Sequence, residues 1–383
     1  MTTQINGRVP IKIMPTQTKQ STIPMQNPDA KTPASLNEKE GVLVGLPAGQ
    51  AGIPPRGLFR KGLHAQLGRS NLKISRLCLG TMNFGDRTTE QDSFEILDRS
   101  VELGINFIDT ANAYGKPWGY GLTEKIIGNW LSQRKDIRKK LILATKVYLM
   151  MDGDPKEQGL SARHIKKACE DSLKRLKIDH IDLYQMHHVD RETPMEETLG
   201  AMASLIKDGK VLYIGSSNFA GWDIAVFNEK AKQAGMQGLV SEQSRYNLTL
   251  RAVEREVIPA CEHYGMNLLP WSPLGGGFLA AQVDNDKKGR RSTERMEKWL
   301  NTSDALLAKW TKFCDDLNEE PAQVALAWLL HQKTVAAPII GPRTLQQLEK
   351  SMASLQIKFS DEQLKTLDEM FPPAGRAPEY YAW

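Results

Sequence analysis

The chain has 383 residues, enough for one large α/β domain or two ordinary ones. Its hydrophobic fraction of 40% and charged fraction of 25% are those of a globular protein. No apolar run reaches the roughly 18–20 residues of a membrane span, and the net charge of +5 comes without a Lys/Arg run interleaved with aromatics, so neither a membrane nor a nucleic-acid partner is expected.

Residues 1 to about 57 hold eight of the twenty prolines and no aromatic side chain. Such a segment cannot bury a core, so a loosely ordered N-terminal extension is expected, with the folded domain over 58–383. No acidic residue precedes Asp29, as in a transit peptide, but Arg8 is the only arginine before it and no amphipathic helix is evident there. From Leu77 onward, strand-like runs recur near 77–80, 106–109, 141–146, 181–187, 211–216, 239–243, 267–271 and 335–340. Helical periodicity fills the intervals at 90–103, 122–133, 161–176, 194–208, 220–235, 251–264, 303–317 with 321–331, and 344–355. Capping-box patterns begin at Thr193, Thr344 and Ser360, and Pro321 suits the first turn of a helix.

Eight strand–helix alternations predict a closed (β/α)8 TIM barrel rather than an open doubly wound sheet, and no strand runs into a Gly-x-Gly-x-x-Gly turn. Pro338 inside the eighth run removes a ladder donor, which predicts a bulge or a shortened strand. The stretch 273–302 is too long for a simple connection. Arg138-Lys139-Lys140, the densest basic cluster, reads as a solvated turn. The four cysteines are scattered without metal-ligand spacing, and Cys78 and Cys169 fall in apolar patterns, which fits a reducing, cytoplasmic setting.

Four of the strand-like runs end on a reactive polar residue. In parallel β/α folds that end is where chemistry happens, so Asp109, Tyr114, Lys146, His187 and Asn218 are expected at one mouth. A tyrosine, with an ordinary pKa of about 10, is a poor proton donor near neutrality. A neighbouring ammonium lowers that pKa, an aspartate keeps the lysine charged, and a histidine can orient a carbonyl oxygen. Such a set can protonate a carbonyl oxygen while a hydride reaches its carbon, but the hydride must come from a nicotinamide cofactor. Taken singly, Asp109 reads equally as a helix cap and Tyr114 as a lid residue. His187 and His188 point to opposite faces of a strand, so no metal site is expected, and with seven histidines in all a metal-dependent hydrolase is the weaker barrel chemistry.

The chain resembles the aldo-keto reductases from about Leu67 to Trp383. The resemblance rests on Leu79-Gly80-Thr81-Met82-Asn83-Phe84-Gly85, the segment GINFIDTANAY from Gly104 to Tyr114, Ala144-Thr145-Lys146, Asp182-Leu183-Tyr184-Gln185-Met186-His187, and Gly209-Lys210-Val211 leading to Gly215-Ser216-Ser217-Asn218. Its flavour is that of the bacterial branch that also resembles potassium-channel β subunits and aryl-alcohol dehydrogenases. The resemblance implies an NADPH-dependent reductase of small aldehydes and ketones, with Tyr114 as acid/base, Lys146 and Asp109 tuning it, and His187 polarising the carbonyl. Cofactor positions would be Gly80, Thr81, Met82 and Asp109, then Ser217, Asn218 and Gln243 at the nicotinamide carboxamide, with Tyr246 where the family often has a nearby aromatic. Trp271-Ser272-Pro273-Leu274 with Gly276 and Gly277 would wrap the pyrophosphate, where glycines permit close backbone approach.

Ile340, Gly341 and Arg343 open the last barrel helix, an anion site to which Arg343 adds a planar fork for a 2′-phosphate, favouring NADP over NAD. Gln347 matches an adenine position. The chain departs from its relatives at Ala280-Ala281-Gln282, where they continue Thr-Gly-Lys, and at Lys350-Ser351, where they often have Glu-Asn. The competing reading is a cofactor-binding, redox-sensing interaction protein like a channel β subunit, docking a partner through the extension. Specificity is expected from loops at Lys116–Gly121, Tyr148–Gly159, Leu274–Leu300 and the tail Pro372–Trp383, with Trp118, Phe84 and Tyr148 as an apolar aryl wall and the aromatic tail docked on the barrel. Oligomeric state and the physiological substrate are not legible.

Overall fold

A computed structural model describes residues 63–134, 136–280 and 304–382. The expected extension over 1–57 and most of the long connection after Leu274 lie outside these residues.

The first elements of the described residues are two three-residue strands, β1 (His64–Gln66) and β2 (Lys73–Ser75), paired antiparallel. Eight parallel strands follow: β3 (Cys78–Gly80), β4 (Phe107–Asp109), β5 (Ile142–Val147), β6 (Ile181–Met186), β7 (Val211–Ser217), β8 (Leu239–Gln243), β9 (Asn267–Leu268) and β10 (Ile339–Ile340). They lie side by side in chain order, and β10 pairs with β3. A bridge from Leu268 to Val335 and a bond from the Ile339 amide to the Pro270 carbonyl (2.8 Å) join β9 to the last run. The ring is therefore closed, as the alternation predicts. Pro338 has the expected effect: the last run breaks into the Val335 bridge and a two-residue strand, while the Pro338 carbonyl still accepts from the Cys78 amide (3.1 Å).

Helices α1 (Glu90–Glu102), α2 (Leu122–Ser132), α3 (Ala162–Leu176), α4 (Met195–Lys207), α5 (Gly221–Gln233), α6 (Val257–His263), α7 (Asp304–Asp316), α8 (Pro321–His331) and α9 (Leu345–Met352) occupy the intervals, followed by α10 (Asp361–Met370) and α11 (Glu379–Ala382). Pro321 opens α8, and Ser360 with Gln363 forms a complete capping box on α10. The box expected at Thr193 does not form. The Thr193 hydroxyl instead donates to Asp190 (2.8 Å), and α4 starts after Pro194 with no side-chain cap. The interval 251–264 is only partly helical, splitting into a short 3-10 turn and α6.

Strands β5 and β6 are buried along their whole length, because barrel strands are covered on both faces and so read as near-continuous apolar runs. Alternation sorts their side chains. Phe107, Ile142, Ala144, Leu183, Val240 and Leu269 fill the interior together with Leu67, Leu72 and Ile74 of the hairpin. Tyr184, Met186, Val147 and Ile214 face the helices. The hairpin caps the amino-terminal end of the barrel: the Gly68 amide donates to Asn267 (2.7 Å), the first residue of β9, and the Asn71 amide to the hydroxyl of Tyr213 (3.2 Å) in the first half of β7. That end is plugged, so chemistry is left to the other.

All four cysteines are unpaired and buried. No helix among the described residues is long and apolar enough to cross a membrane. Arg138 is not the solvated residue expected; its guanidinium pairs with Asp182 (2.8 Å) and donates to the His180 and Leu141 carbonyls. The tail is tethered to the barrel at three points, but Tyr380 and Tyr381 stay 57% and 74% exposed, so these aromatic side chains do not pack as expected; Trp383 lies outside the described residues. The Ala374 amide donates to Glu254 (3.1 Å), the Ala377 amide to the Arg255 carbonyl (3.1 Å), and the Arg255 guanidinium lies 3.6 Å from the Tyr380 ring centre.

Candidate active site

Strand β4 ends on Asp109 and runs into the Thr110–Tyr114 loop; β5 carries Lys146 on the same inner face, and His187 follows β6. Lys146 is wholly buried, its side chain standing at the top of the packed interior. Its Nζ donates to Asp109 Oδ2 (2.5 Å), to the Thr110 carbonyl (2.8 Å) and to the Tyr114 hydroxyl (3.3 Å). A buried lysine requires such partners. Tyr114, 9% exposed, meets His187 edge-on with ring centres 5.7 Å apart and Trp118 at 5.9 Å. Asp109, Tyr114, Lys146 and His187 thus form one cluster.

Burial by itself would depress the Lys146 pKa, but Asp109 and then Tyr114 outweigh it and the ammonium ends above its ordinary value. A fixed positive charge therefore faces the phenol. His187 is pushed down to about 3, first by burial, then by Lys146 and His188, so the imidazole is neutral. Its Nδ1 is buried without a protein partner. His188 turns away, stacking at a tilt 5.5 Å from Tyr148 and bonding the Val189 carbonyl, as opposite strand faces require.

The other expected positions fall into three groups around this cluster. Ser217, Asn218 and Gln243 share one corner. The Ser217 hydroxyl donates to the Gln243 carbonyl (2.7 Å), and the Asn218 amide nitrogen donates to the His187 carbonyl (3.1 Å) and to Ser217 (3.0 Å). Asn218 holds a left-handed backbone (φ 58°), and its Oδ1 accepts from the Trp271 indole (3.1 Å), which sets that ring against the corner. The turn from Ser272 (φ 54°) through Pro273 and Leu274 to Gly276 (φ 70°) and Gly277 (φ 107°) follows; its later left-handed positions are glycine, whereas Ser272 holds that conformation with a side chain. On the far side, Thr81 donates through both its amide and its hydroxyl to the Asp109 carbonyl (3.0 Å each), with Met82 next to it. Asn83 ties this segment to the Gly341 carbonyl (2.9 Å), joining it to Ile340 and Arg343. A Cβ on Gly80 would lie 2.5 Å from Ile339, so β3 and β10 approach this closely only with glycine there. Gln347 accepts from the Arg343 amide (2.8 Å), which orders the start of α9.

Two residues near the site were not anticipated. Gln185 donates to Asp109 Oδ1 (3.0 Å) and accepts from Gln243 (3.1 Å), while Gln243 also donates to Asp109 Oδ1 (2.9 Å). Its position two residues before His187 on one strand places it on the same face, a signal the sequence does carry. Glu242, fully buried behind the Ser216–Phe219 turn, gives no such signal. Two expected residues are elsewhere. Phe84 is fully buried in the helix-facing core, so it does not line the mouth. Tyr246 is likewise buried, 5.3 Å from Trp328 between ring centres, with its hydroxyl on Glu254 (2.7 Å). Trp118 and Tyr148 remain at the mouth, with Gly119 accepting from the Asp152 amide (3.0 Å) to join the two loops.

The chain matches the aldo/keto reductase family over residues 76–371. It is 45% identical over 325 residues to the uncharacterized oxidoreductase YrpG of Bacillus subtilis, covering 84% of this chain and 99% of that one. It is 35% identical to norsolorinic acid reductase stcV of Emericella nidulans (79% of this chain, 80% of the relative) and 30% identical to a putative aryl-alcohol dehydrogenase of Schizosaccharomyces pombe (81% and 96%). A match of this extent, on a closed β/α barrel, means that the chain belongs to the aldo/keto reductase family, oxidoreductases of small-molecule carbonyl compounds.

Proposed function

We propose that this protein is an NADPH-dependent reductase of aldehydes and ketones, reversible, in which Tyr114 delivers the proton. The observation that carries the reading is the Lys146 ammonium, held by Asp109 and directed at the Tyr114 hydroxyl. A nicotinamide cofactor, when bound, supplies the hydride to the carbonyl carbon. The residues present fit such a group: a turn with left-handed backbone at Ser272 and at the glycines Gly276 and Gly277, an amide and hydroxyl corner at Ser217, Asn218 and Gln243, and the amino end of α9 beside Arg343.

As negative charge develops on the substrate oxygen, the Tyr114 hydroxyl gives up its proton to it. The phenolate left behind is stabilised by Lys146, whose own charge Asp109 preserves. Solvent then reprotonates Tyr114. Neutral His187 stands beside the phenol as a hydrogen-bonding partner for the carbonyl oxygen, orienting it rather than competing as an acid. Gln185 and Gln243 fix Asp109 from its other oxygen. Arg343 is the residue assigned to the 2′-phosphate, with Gln347 on the adenine side. Residues 58–383 are taken as the catalytic domain and 1–57 as an extension. The unpaired buried cysteines suit a cytoplasmic setting.

Aryl carbonyls are the favoured substrates, since Trp118 stands edge-on to Tyr114 at the mouth. The test is NADPH absorbance with 4-nitrobenzaldehyde for the wild type and Tyr114→Phe. The variant is expected to retain NADPH binding and to lose roughly 10²–10⁴-fold in kcat, the usual worth of positioned acid catalysis. Equal turnover in both proteins sinks the assignment.

A further inference from the structure

The carboxyl of Glu242 touches neither the catalytic cluster nor the mouth, yet it is fully buried. It sits behind the turn that joins β7 to α5. One oxygen accepts from the Ser216 hydroxyl; the other accepts from the Ser244 hydroxyl (2.6 Å) and the Phe219 amide (3.2 Å). The turn so held contains Ser217 and Asn218. Asn218 in turn connects to His187, Ser217 and Trp271, and its own amide donates to the Gln243 carbonyl (3.1 Å). At the far end of the turn, the Ala220 amide donates to Asp223 (3.1 Å), which is paired with Arg191.

A buried carboxylate is costly unless its acceptor sites are filled. Here each named partner is a donor, and each belongs to the turn or to the strand beside it. Asn218 needs the restraint, because a left-handed asparagine in the middle of a loop is an uncommon conformation. Resting on the nicotinamide reading above, we infer that Glu242 is a positioning residue for the cofactor: it holds the Ser216–Phe219 turn from behind and so sets how tightly the Ser217–Asn218–Gln243 corner grips the carboxamide.

The ionised carboxylate accepts from all its donors at once, whereas its protonated form must give up one acceptor. Burial, against the donations of Ser216 and Ser244, raises the Glu242 pKa to about 7. The Cys261 thiol of α6 lies within reach of the Glu242 charge; burial first, then Glu242, pushes it well above its ordinary value, so it stays neutral. The grip on the cofactor should therefore tighten as pH rises through neutrality.

The experiment is fluorescence titration of NADPH from pH 6 to 8.5 with wild type, Glu242→Leu and Glu242→Gln, together with KM for 4-nitrobenzaldehyde. Losing a hydrogen-bonded buried carboxylate should weaken NADPH by roughly tenfold in the Leu variant, with the aldehyde KM within about twofold. The Gln variant keeps an acceptor and should behave at every pH as the wild type does at low pH, roughly threefold weaker above neutrality. A Leu variant within twofold of wild type overturns the inference, as do parallel pH profiles for wild type and Gln. If the Leu variant does not fold, the Ser216→Ala/Ser244→Ala double variant replaces it, with several-fold weakening expected and unchanged affinity decisive against. A wild type that binds neither NADPH nor NADH instead removes the nicotinamide reading itself.

Discussion

The Nζ of Lys146 stands 3.3 Å from the hydroxyl oxygen of Tyr114, across 32 residues of chain. The same nitrogen is 2.5 Å from Asp109, so the ammonium is shared between a carboxylate that holds it and a phenol that it acts upon. Lys146→Met leaves Asp109 buried with only amide partners. Breaking one side of a buried pair typically costs about 3–5 kcal/mol, and Lys146→Met/Asp109→Asn should recover part of that loss. Urea unfolding of the single and double variants measures it. A single variant within about 1 kcal/mol of wild type would show that the pair does not hold the cluster together.

His187 makes a pH prediction. Its folded pKa of about 3 lies below the unfolded value near 6.5, so the stability from burying it neutral is fully present above 6.5. As pH falls, the unfolded chain takes up a proton that the native state refuses, and stability drops by up to about 1.4 kcal/mol per pH unit. Between pH 7 and pH 5, the stability difference between wild type and His187→Gln should shift by about 2 kcal/mol in favour of the variant. A difference that does not change with pH contradicts a neutral buried imidazole.

Trp118 is 47% exposed yet fixed edge-on to Tyr114. Trp118→Ala should lower kcat/KM for 4-nitrobenzaldehyde by roughly tenfold, the worth of one aromatic contact, while propanal changes by less than about threefold. Equal losses on both substrates would place Trp118 in the support of the loop and not in recognition.

Arg343 is assigned to the 2′-phosphate. Arg343→Ala should weaken NADPH by roughly 10–100-fold, as for a lost charge-assisted contact, and leave NADH unchanged. Titrating both cofactors into the variant decides it; equal weakening of the two would move the arginine off the 2′-phosphate.

Strands β5 and β6 were readable in advance because a strand covered on both faces is apolar throughout, and a lysine or histidine closing such a run stands out. The capping boxes were less reliable. Ser360 forms one, but the Thr193 hydroxyl prefers Asp190, because a nearby carboxylate competes with the helix amides for the same side chain. The β1–β2 hairpin was missed because three-residue strands are too short for an alternation to register.

From the residues alone came the eight-fold alternation, the shortened last strand at Pro338, and the inward row of Asp109, Lys146 and His187, since each is a local pattern that the period of a strand or helix imposes. Only tertiary structure decided that Phe84 and Tyr246 are core residues, that Gln185 joins Asp109 to Gln243, and that Glu242 braces the Asn218 turn. Those outcomes depend on which side chains from distant segments compete for one buried volume, and close packing settles that competition only when the barrel shuts.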